Sequence, residues 1–532
     1  MNAKNERDTG NAAAPFAPTD RPGAQPVAVI DIGSSSIRMS LAEIRDGNVR
    51  VLDTLQQSVA LGKDVFTCGS IHKDRIEECV RVLRSFRKFL DEHGLRDRGA
   101  IRAVATTAVR EATNRDVFLD RIYMATGFDV NVLSEADTTR LTYLSMLPHV
   151  RRENHLARST VIIVEMGGGT TEVLAVRGEN VILSNTYRLG ALRLRQTAEQ
   201  LRAPAAQTRE LMENAMDRAI DHIRFSVPKR GGVHVVALGG DARYAVQALT
   251  GEQAPEGMIG LPVRSVASLA SKLLETPVET IAERYKMPLS DADTIGPALL
   301  FYARLARSYS LRHLLVSPVT MRHGLLDEMA SVSEWTEAFQ RQILRAARDI
   351  GRKYRHDEAH AEHVAELSAA LFTDLASEHR LGKRHELLLK VGALLHDIGT
   401  FISTASHHKH SMYLIQNSEL FGLSAEDLTL VAHLARYHRR APPRPTHVEF
   451  MALTREQRLE VCLLAGILRV ADALDVSHTQ RIKNISCHRE EGHLVIEIPG
   501  AGDLSLEDMA LRQKGPMFQD IYGMDVLLRP RE

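Results

Sequence analysis

The chain has 532 residues, 44% hydrophobic and 25% charged, an ordinary globular composition with room for about three domains of roughly 150 residues. Lys+Arg and Asp+Glu are both 67, which argues against a global attraction to nucleic acid or membrane but leaves a local basic channel open. Cys68, Cys79, Cys462 and Cys487 have no CxxC spacing and read as reduced thiols of a cytoplasmic protein, with no zinc knuckle.

Residues 1–26, rich in Ala, Pro and Asn, have no apolar h-region and read as a disordered tail, with no signal peptide. No apolar run approaches the roughly 18 residues of a membrane span. Order begins at VAVIDIG, 27–33, a strand ending in Asp31, followed by a Gly/Ser turn and the strand IRMSLAEI. VRVLDTL gives a third strand, and Ile71 to His93 has helical periodicity. AIRAVAT and DVNVL are strands, and VIIVEMGGGTTEVLAVRGENVILSNTYRL repeats strand, Gly turn, strand, strand. HVVALGGDARYA places Gly239-Gly240 between a strand and a helix, and HLLVSPVTMRHGLL closes this half. Long helical patterns dominate from about Ser331 to Val476, and short strands end the chain. The resulting division is a first lobe at 27–150, a second at 151–330, a helical domain at 331–480 and an extension at 481–532.

DIGSSSIRMSLAEI and EMGGGTTEVLAVRG share one template: acid, apolar, Gly, small, small, Ser/Thr. The interval is too long for a solenoid, whose repeats span roughly 20–50 residues, and suggests a duplicated α/β domain with its Gly turns facing across a cleft. Glycines let backbone N–H groups approach phosphate oxygens, and Ser/Thr hydroxyls add donors. An acid at the strand end can hold Mg²⁺ or orient a water. A single such turn is more often structural; two copies and a third turn point to a nucleotide or phosphate between two lobes.

These three turns resemble the phosphate-1, phosphate-2 and third-turn motifs of the actin/sugar-kinase/Hsp70 superfamily. With TTAVREATN, YRLGALRL, DADTIGPALLF, HHKHSMYLIQNSEL and LARYHRR, the chain resembles the exopolyphosphatase/guanosine pentaphosphate phosphatase (Ppx/GppA) family. The resemblance implies duplicated ribonuclease-H-like lobes, hydrolysis of a terminal phosphoanhydride of polyphosphate or pppGpp, Mg²⁺ and a homodimer. It places Asp31, Gly33, Ser34, Gly167, Gly168, Gly169 and Thr170 at the phosphates. Arg38 and Arg193 fall on family arginines, whose bland reading is surface ion pairing, and Glu172 closes the second motif.

Two acids depart from the family pattern. Glu165 stands where the family has Asp, moving the carboxylate by one methylene in a site where positioning supplies much of the rate. In Ser134-Glu135-Ala136-Asp137-Thr138, the family's catalytic Glu falls on Thr138. A general base contributes about 10²–10⁴-fold, and a threonine hydroxyl cannot serve near neutral pH. Asp137 lies one residue earlier, about 100° away around a helix, and Glu111 is a further acid without a role. Ser35 replaces the family's Asn. Asp241 replaces its Thr and opposes an anion at the third turn. The lobes therefore hydrolyse polyphosphate through Asp137 or Glu165, or bind a polyphosphate or alarmone without efficient turnover.

In the helical part, His360, His396-Asp397 and Asp472 form an H…HD…D pattern similar to that of HD-type metal phosphohydrolases, with His410 and His438 where two-metal members carry further histidines. Imidazole and carboxylate suit Mn²⁺, Mg²⁺ or Fe, although any one of 23 histidines is more often structural. His363, His407 and His408 are read as structural or substrate-facing. A third reading follows, in which this domain is the hydrolase and the lobes sense a ligand. Arg436, Arg439, Arg440 and Arg444 either guide a polyanion or form a solvated face.

Overall fold

A computed structural model describes residues 24–531 except 96–97, 179, 201–204, 230, 253–256, 331–336, 419 and 501. Residues 1–23 of the expected disordered tail, and the expected start of the helical domain at 331, lie outside the described residues. Contacts divide the chain into two units. The first comprises Met1–Leu133, Leu144–Glu172 and Thr186–Val332; the second comprises Ser134–Tyr143, Val173–Asn185 and Ser333–Glu532.

The first sheet contains β1 (Gln25–Ile32), β2 (Ser36–Arg45), β3 (Asn48–Ser58), β4 (Ile101–Ala105) and β5 (Val130–Val132), in the order β3-β2-β1-β4-β5. β1 pairs antiparallel with β2 and parallel with β4. The next sheet contains β6 (Thr160–Met166), β7 (Thr171–Arg177), β8 (Asn180–Tyr187), β9 (Val233–Ala237), β10 (Ile259–Pro262) and β11 (His313–Val316), in the order β10-β11-β9-β6-β7-β8. Taken from β8, the order β8-β7-β6-β9-β11 reproduces that of the first sheet, with β10 added antiparallel at the edge. The sequence repeat is therefore also a repeat of topology.

Burial explains the texture of these strands. TVIIVEM is buried at all positions except Glu165, the continuous apolar run expected of a covered strand with a parallel neighbour. β3 lies at a sheet edge and is mostly exposed and polar. Helix Lys73–Glu92 buries Ile76, Cys79, Val80, Leu83, Phe86 and Leu90, spacings that form one helical face. That face packs with Ile30, Ile37 and Met39 in the first core. All four cysteines are free, and burial raises Cys79 to about 12, leaving an inert thiol.

The second unit is built mainly from helices Glu358–Asp374, Lys383–Leu395, His407–Gln416, Ala425–Tyr437 and Arg455–Leu474. Ser424 and Thr454 begin two of them with reciprocal capping boxes to Asp427 and Gln457. A final sheet has the order β12 (Ser486–Glu490), β13 (His493–Pro499), β14 (Asp525–Arg531). Glu491 and Gly492, with φ of 47° and 86°, make the tight β12–β13 turn that sequence periodicity did not reveal. No helix among the described residues is long and apolar enough to cross a membrane.

Candidate functional site

The two templated turns have the same closure. The Gly33 N–H donates to the Ser36 carbonyl at 3.0 Å, and the Gly167 N–H donates to the Thr170 carbonyl at 2.8 Å. They also approach each other: a Cβ on Gly168 would stand 3.1 Å from the Cβ of Ser34. A Cβ on Gly169 would meet the Phe66 ring at 2.3 Å, and one on Gly190 would meet the Gly168 carbonyl oxygen at 2.3 Å. Close approach, rather than a left-handed backbone, requires these glycines.

Helix Ala191–Gln200 begins on the second turn. The Ala191 and Arg193 N–H groups donate to the Gly167 and Gly168 carbonyls at 2.9 and 3.0 Å. The Arg193 side chain then donates from Nε to the Gly169 carbonyl at 3.0 Å. Its Nη2 reaches both Glu111 oxygens at 2.9 and 2.8 Å, and its guanidinium lies 4.3 Å over the Phe66 ring. Glu111, an acid without a role in the sequence, thus fixes the arginine at the rim. Thr170 and Thr107 share a hydroxyl hydrogen bond of 3.1 Å. Buried Ser34 accepts at its carbonyl from Gly62 at 2.8 Å.

Beneath the turns, acids and arginines alternate. Strand register sets Asp31 opposite Arg38 and Arg38 opposite Gln56, one face of neighbouring strands. Arg38 donates to Gln56 at 3.1 Å. Arg322 pairs with Asp31 Oδ2 at 3.4 Å and donates to Ser40 at 3.1 Å, while buried Asp31 Oδ1 has no hydrogen-bond partner. Although the Glu165 residue as a whole is only half-buried, desolvation of its carboxyl among the neighbouring strands pushes it up, against Arg243 and Arg38. Burial also raises Asp241 to about 7, although the Thr294 hydroxyl donates to it at 3.1 Å. Arg243 Nη1 is buried without a partner. Arg243 and Arg322 were missed as site residues; the Gly239-Gly240 turn just ahead of Arg243 was the available signal for it.

Asp137 and Thr138 belong to the second unit. The Ser134 N–H and hydroxyl donate to Asp137 Oδ2 at 3.0 and 2.7 Å, and the Asp137 N–H donates back to Ser134 Oγ at 3.1 Å. That reciprocal cap starts helix Glu135–Arg152. The Thr138 hydroxyl donates to the Ser134 carbonyl at 3.0 Å. Both side chains thus serve the beginning of their own helix. Glu172 is half-buried on β7.

The same unit gathers His360, His396, Asp397, Asp472 and His438. Three overlapping groups among the described residues, His360/His396/Asp472, His360/Asp397/His478 and His396/Asp397/His438, have donor atoms within 4.8 Å of one another. Each imidazole is anchored through Nδ1: His360 to Asp475 at 2.8 Å, His396 to the Ala393 carbonyl at 2.6 Å and His438 to the Ala435 carbonyl at 2.7 Å. His360 and His396 are 1% and 0% exposed, and neither Nε2 has a hydrogen-bond partner. This is the arrangement that orients a metal-ligating imidazole. Against burial, His396 and His407 hold the Asp397 carboxyl well below its usual range. Burial opposes protonation of His360, yet Asp472 and Asp475 lift it to about 9, whereas burial lowers His396 and His438. His407 joins the cluster 3.1 Å from Asp397; His410, on the same helix, is half-buried and outside these groups.

Residues 25–332 match the Ppx/GppA phosphatase family, and residues 343–513 match Ppx/GppA phosphatase, domain III. A guanosine-5'-triphosphate,3'-diphosphate pyrophosphatase of Photobacterium profundum is 23% identical over 530 residues, 95% of this chain and 98% of that protein. One of Vibrio campbellii is 24% identical over 433 residues, 78% and 81% of the two chains. An exopolyphosphatase crystal structure from Cytophaga hutchinsonii covers 57% of this chain and 98% of its own, with a TM-score of 0.51 and 20% identity, a likeness of fold. The third-domain match falls on the segment whose sequence resembles HD-type proteins. Through these two consecutive matches, the chain belongs to the Ppx/GppA phosphatase family.

Proposed function

We propose that the first unit binds the phosphate end of inorganic polyphosphate or of pppGpp and releases its terminal phosphate. The observation carrying this reading is the pair of identically closed Gly turns set over Arg38, Arg243 and Arg322. Backbone N–H groups and fixed guanidinium groups recognise phosphate oxygens by charge and geometry. The names of the relatives, pyrophosphatase and exopolyphosphatase, support the same substrate class. The donor set suits Mg²⁺, which keeps waters and takes its remaining ligands from phosphate: Asp31 Oδ1 would hold it, and the ion would neutralise charge on the leaving phosphate.

A second reading, binding without efficient turnover, is favoured by Asp137 and Thr138, whose polar atoms cap a helix in place of a family Glu. A third assigns turnover to the helical unit as an HD-type phosphohydrolase. Phosphate release from long-chain polyphosphate with Mg²⁺ separates the three. The first predicts wild-type release that is lost in Arg243→Ala and kept in Asp397→Ala. Release only in Thr138→Glu/Glu165→Asp supports binding alone. Wild-type release lost in Asp397→Ala but kept in Arg243→Ala removes the first reading.

A further inference from the structure

We propose that Gln56 is a positioning residue of the first unit: bridging to Asp291, it fixes the guanidinium plane of Arg38 and clasps the two sheets together around the Gly turns. The proposal rests on the reading of those turns as a phosphate cradle. It is carried by a hydrogen-bonded chain between segments 235 residues apart. Arg38 Nε donates to Gln56 Oε1 at 3.1 Å, and Gln56 Nε2 donates to Asp291 Oδ2 at 3.2 Å. Arg38 and Gln56 belong to β2 and β3 of the first sheet and stand opposite each other in register. Asp291 lies in the first turn of helix Leu289–Ser308, which packs against β6, β9 and β11 of the second sheet.

The carboxamide suits this place because it has one accepting and one donating end. Arg38 offers only donors and the Asp291 carboxylate only acceptors, so the two neighbours allow one amide orientation. An arginine engaged through Nε presents its two terminal nitrogens as a fork, the geometry that meets two oxygens of one phosphate. The fork of Arg38 points to the third turn: a Cβ on Gly240 would stand 4.0 Å from Arg38 Nη2 and 3.9 Å from Arg243 Nη2. Arg38 thus crosses from the first sheet to a turn of the second, and Gln56 and Asp291 brace it from both sides.

The same helical turn makes a second attachment. Asp293 Oδ1 lies 3.1 Å from Arg195 Nε, and Asp293 Oδ2 lies 3.8 Å from Lys63 Nζ. Gln196 Nε2 donates to the Lys63 carbonyl at 3.1 Å. Lys63 follows Gly62, whose N–H donates to the Ser34 carbonyl in the first Gly turn. Two carboxylates of one turn therefore attach to two elements beside that Gly turn, β3 and helix Leu61–Cys68. The Thr294 hydroxyl, 3.1 Å from Asp241 Oδ1 and 3.2 Å from the Asp291 carbonyl, joins the clasp to the floor of the site.

Calorimetric titration of the full chain with tripolyphosphate tests the proposal. Gln56→Ala should weaken binding about tenfold, the scale of one charge-assisted hydrogen bond. Asp291→Ala should have a similar effect, and the double variant should lose no more than either single one, because one chain carries both. In an Arg38→Lys background, which keeps the charge but has no guanidinium plane to fix, Gln56→Ala should cost less than about twofold. Gln57→Ala, exposed on the other face of β3, should bind as the wild type does. Far-UV circular dichroism and thermal unfolding verify that each variant is folded. Unchanged affinity in folded Gln56→Ala, multiplying losses in the double variant, or a full loss that persists with Arg38→Lys overturns the proposal and leaves the phosphate reading standing. Absence of tripolyphosphate binding in the folded wild type removes that reading, and the proposal with it.

Discussion

Gly169 and Gly190 hold the Gly turns together because a methyl group has no space at either position. A Cβ at Gly190 would lie 2.3 Å from backbone atoms, which cannot yield as a flexible side chain does. Gly190→Ala is expected to destabilise the protein by about 1–3 kcal/mol or more, seen as a lower unfolding midpoint in urea and as loss of phosphate binding. Asp241 makes the floor sensitive to pH. Its carboxyl moves from an ordinary 3.8 to about 7 on folding, so the folded chain holds the proton that the unfolded chain releases. Stability from this group is fullest below 3.8, falls as pH rises toward 7 and is flat above it. Affinity for tripolyphosphate should fall across the same neutral range as the carboxylate ionises, and Asp241→Asn should flatten both profiles. Unchanged profiles in that variant would remove Asp241 as the cause. Asp241 was legible in sequence only as a misplaced negative charge. Its proton required the burial that the fold supplies.

Helix ends distinguish structural from chemical carboxylates. Asp137 accepts from the Ser134 backbone and hydroxyl, so its loss should remove a cap worth about 0.5–2 kcal/mol. Phosphate release in Asp137→Asn should therefore change little at a temperature where the variant is folded; a loss of about 10²-fold or more would make Asp137 the base. The capping pattern Ser134-x-x-Asp137 is visible in the sequence, as are the strands ending in Asp31 and Glu165, because local spacing produces both. His407 and His410 show the opposite case. They sit three residues apart on helix His407–Gln416, and periodicity alone gives no preference. Packing brings His407, the first residue of that helix, to Asp397. Asp475 is likewise inconspicuous in sequence, yet it anchors His360 through Nδ1. Asp475→Asn should weaken Mn²⁺ binding about 10–100-fold, measured by calorimetry, and an unchanged affinity would reduce Asp475 to a structural role.

On the scale of the whole molecule, the repeated strand order shows why two short Gly motifs become one site. Each sheet delivers an acid and a Gly turn from the end of its β1-type strand, and the turns meet at Ser34 and Gly168. By itself the sequence determined the repeat, the strands and helices, the Gly turns and the H…HD…D residues, because these depend on periodicity and spacing within short segments. Only the tertiary structure decided that Glu111 fixes Arg193, that Arg243 and Arg322 face the acids, and that His407 meets Asp397 and Lys514 meets Asp472. Those partners are brought together by packing between segments distant in sequence, and burial then sets the charge that each carries.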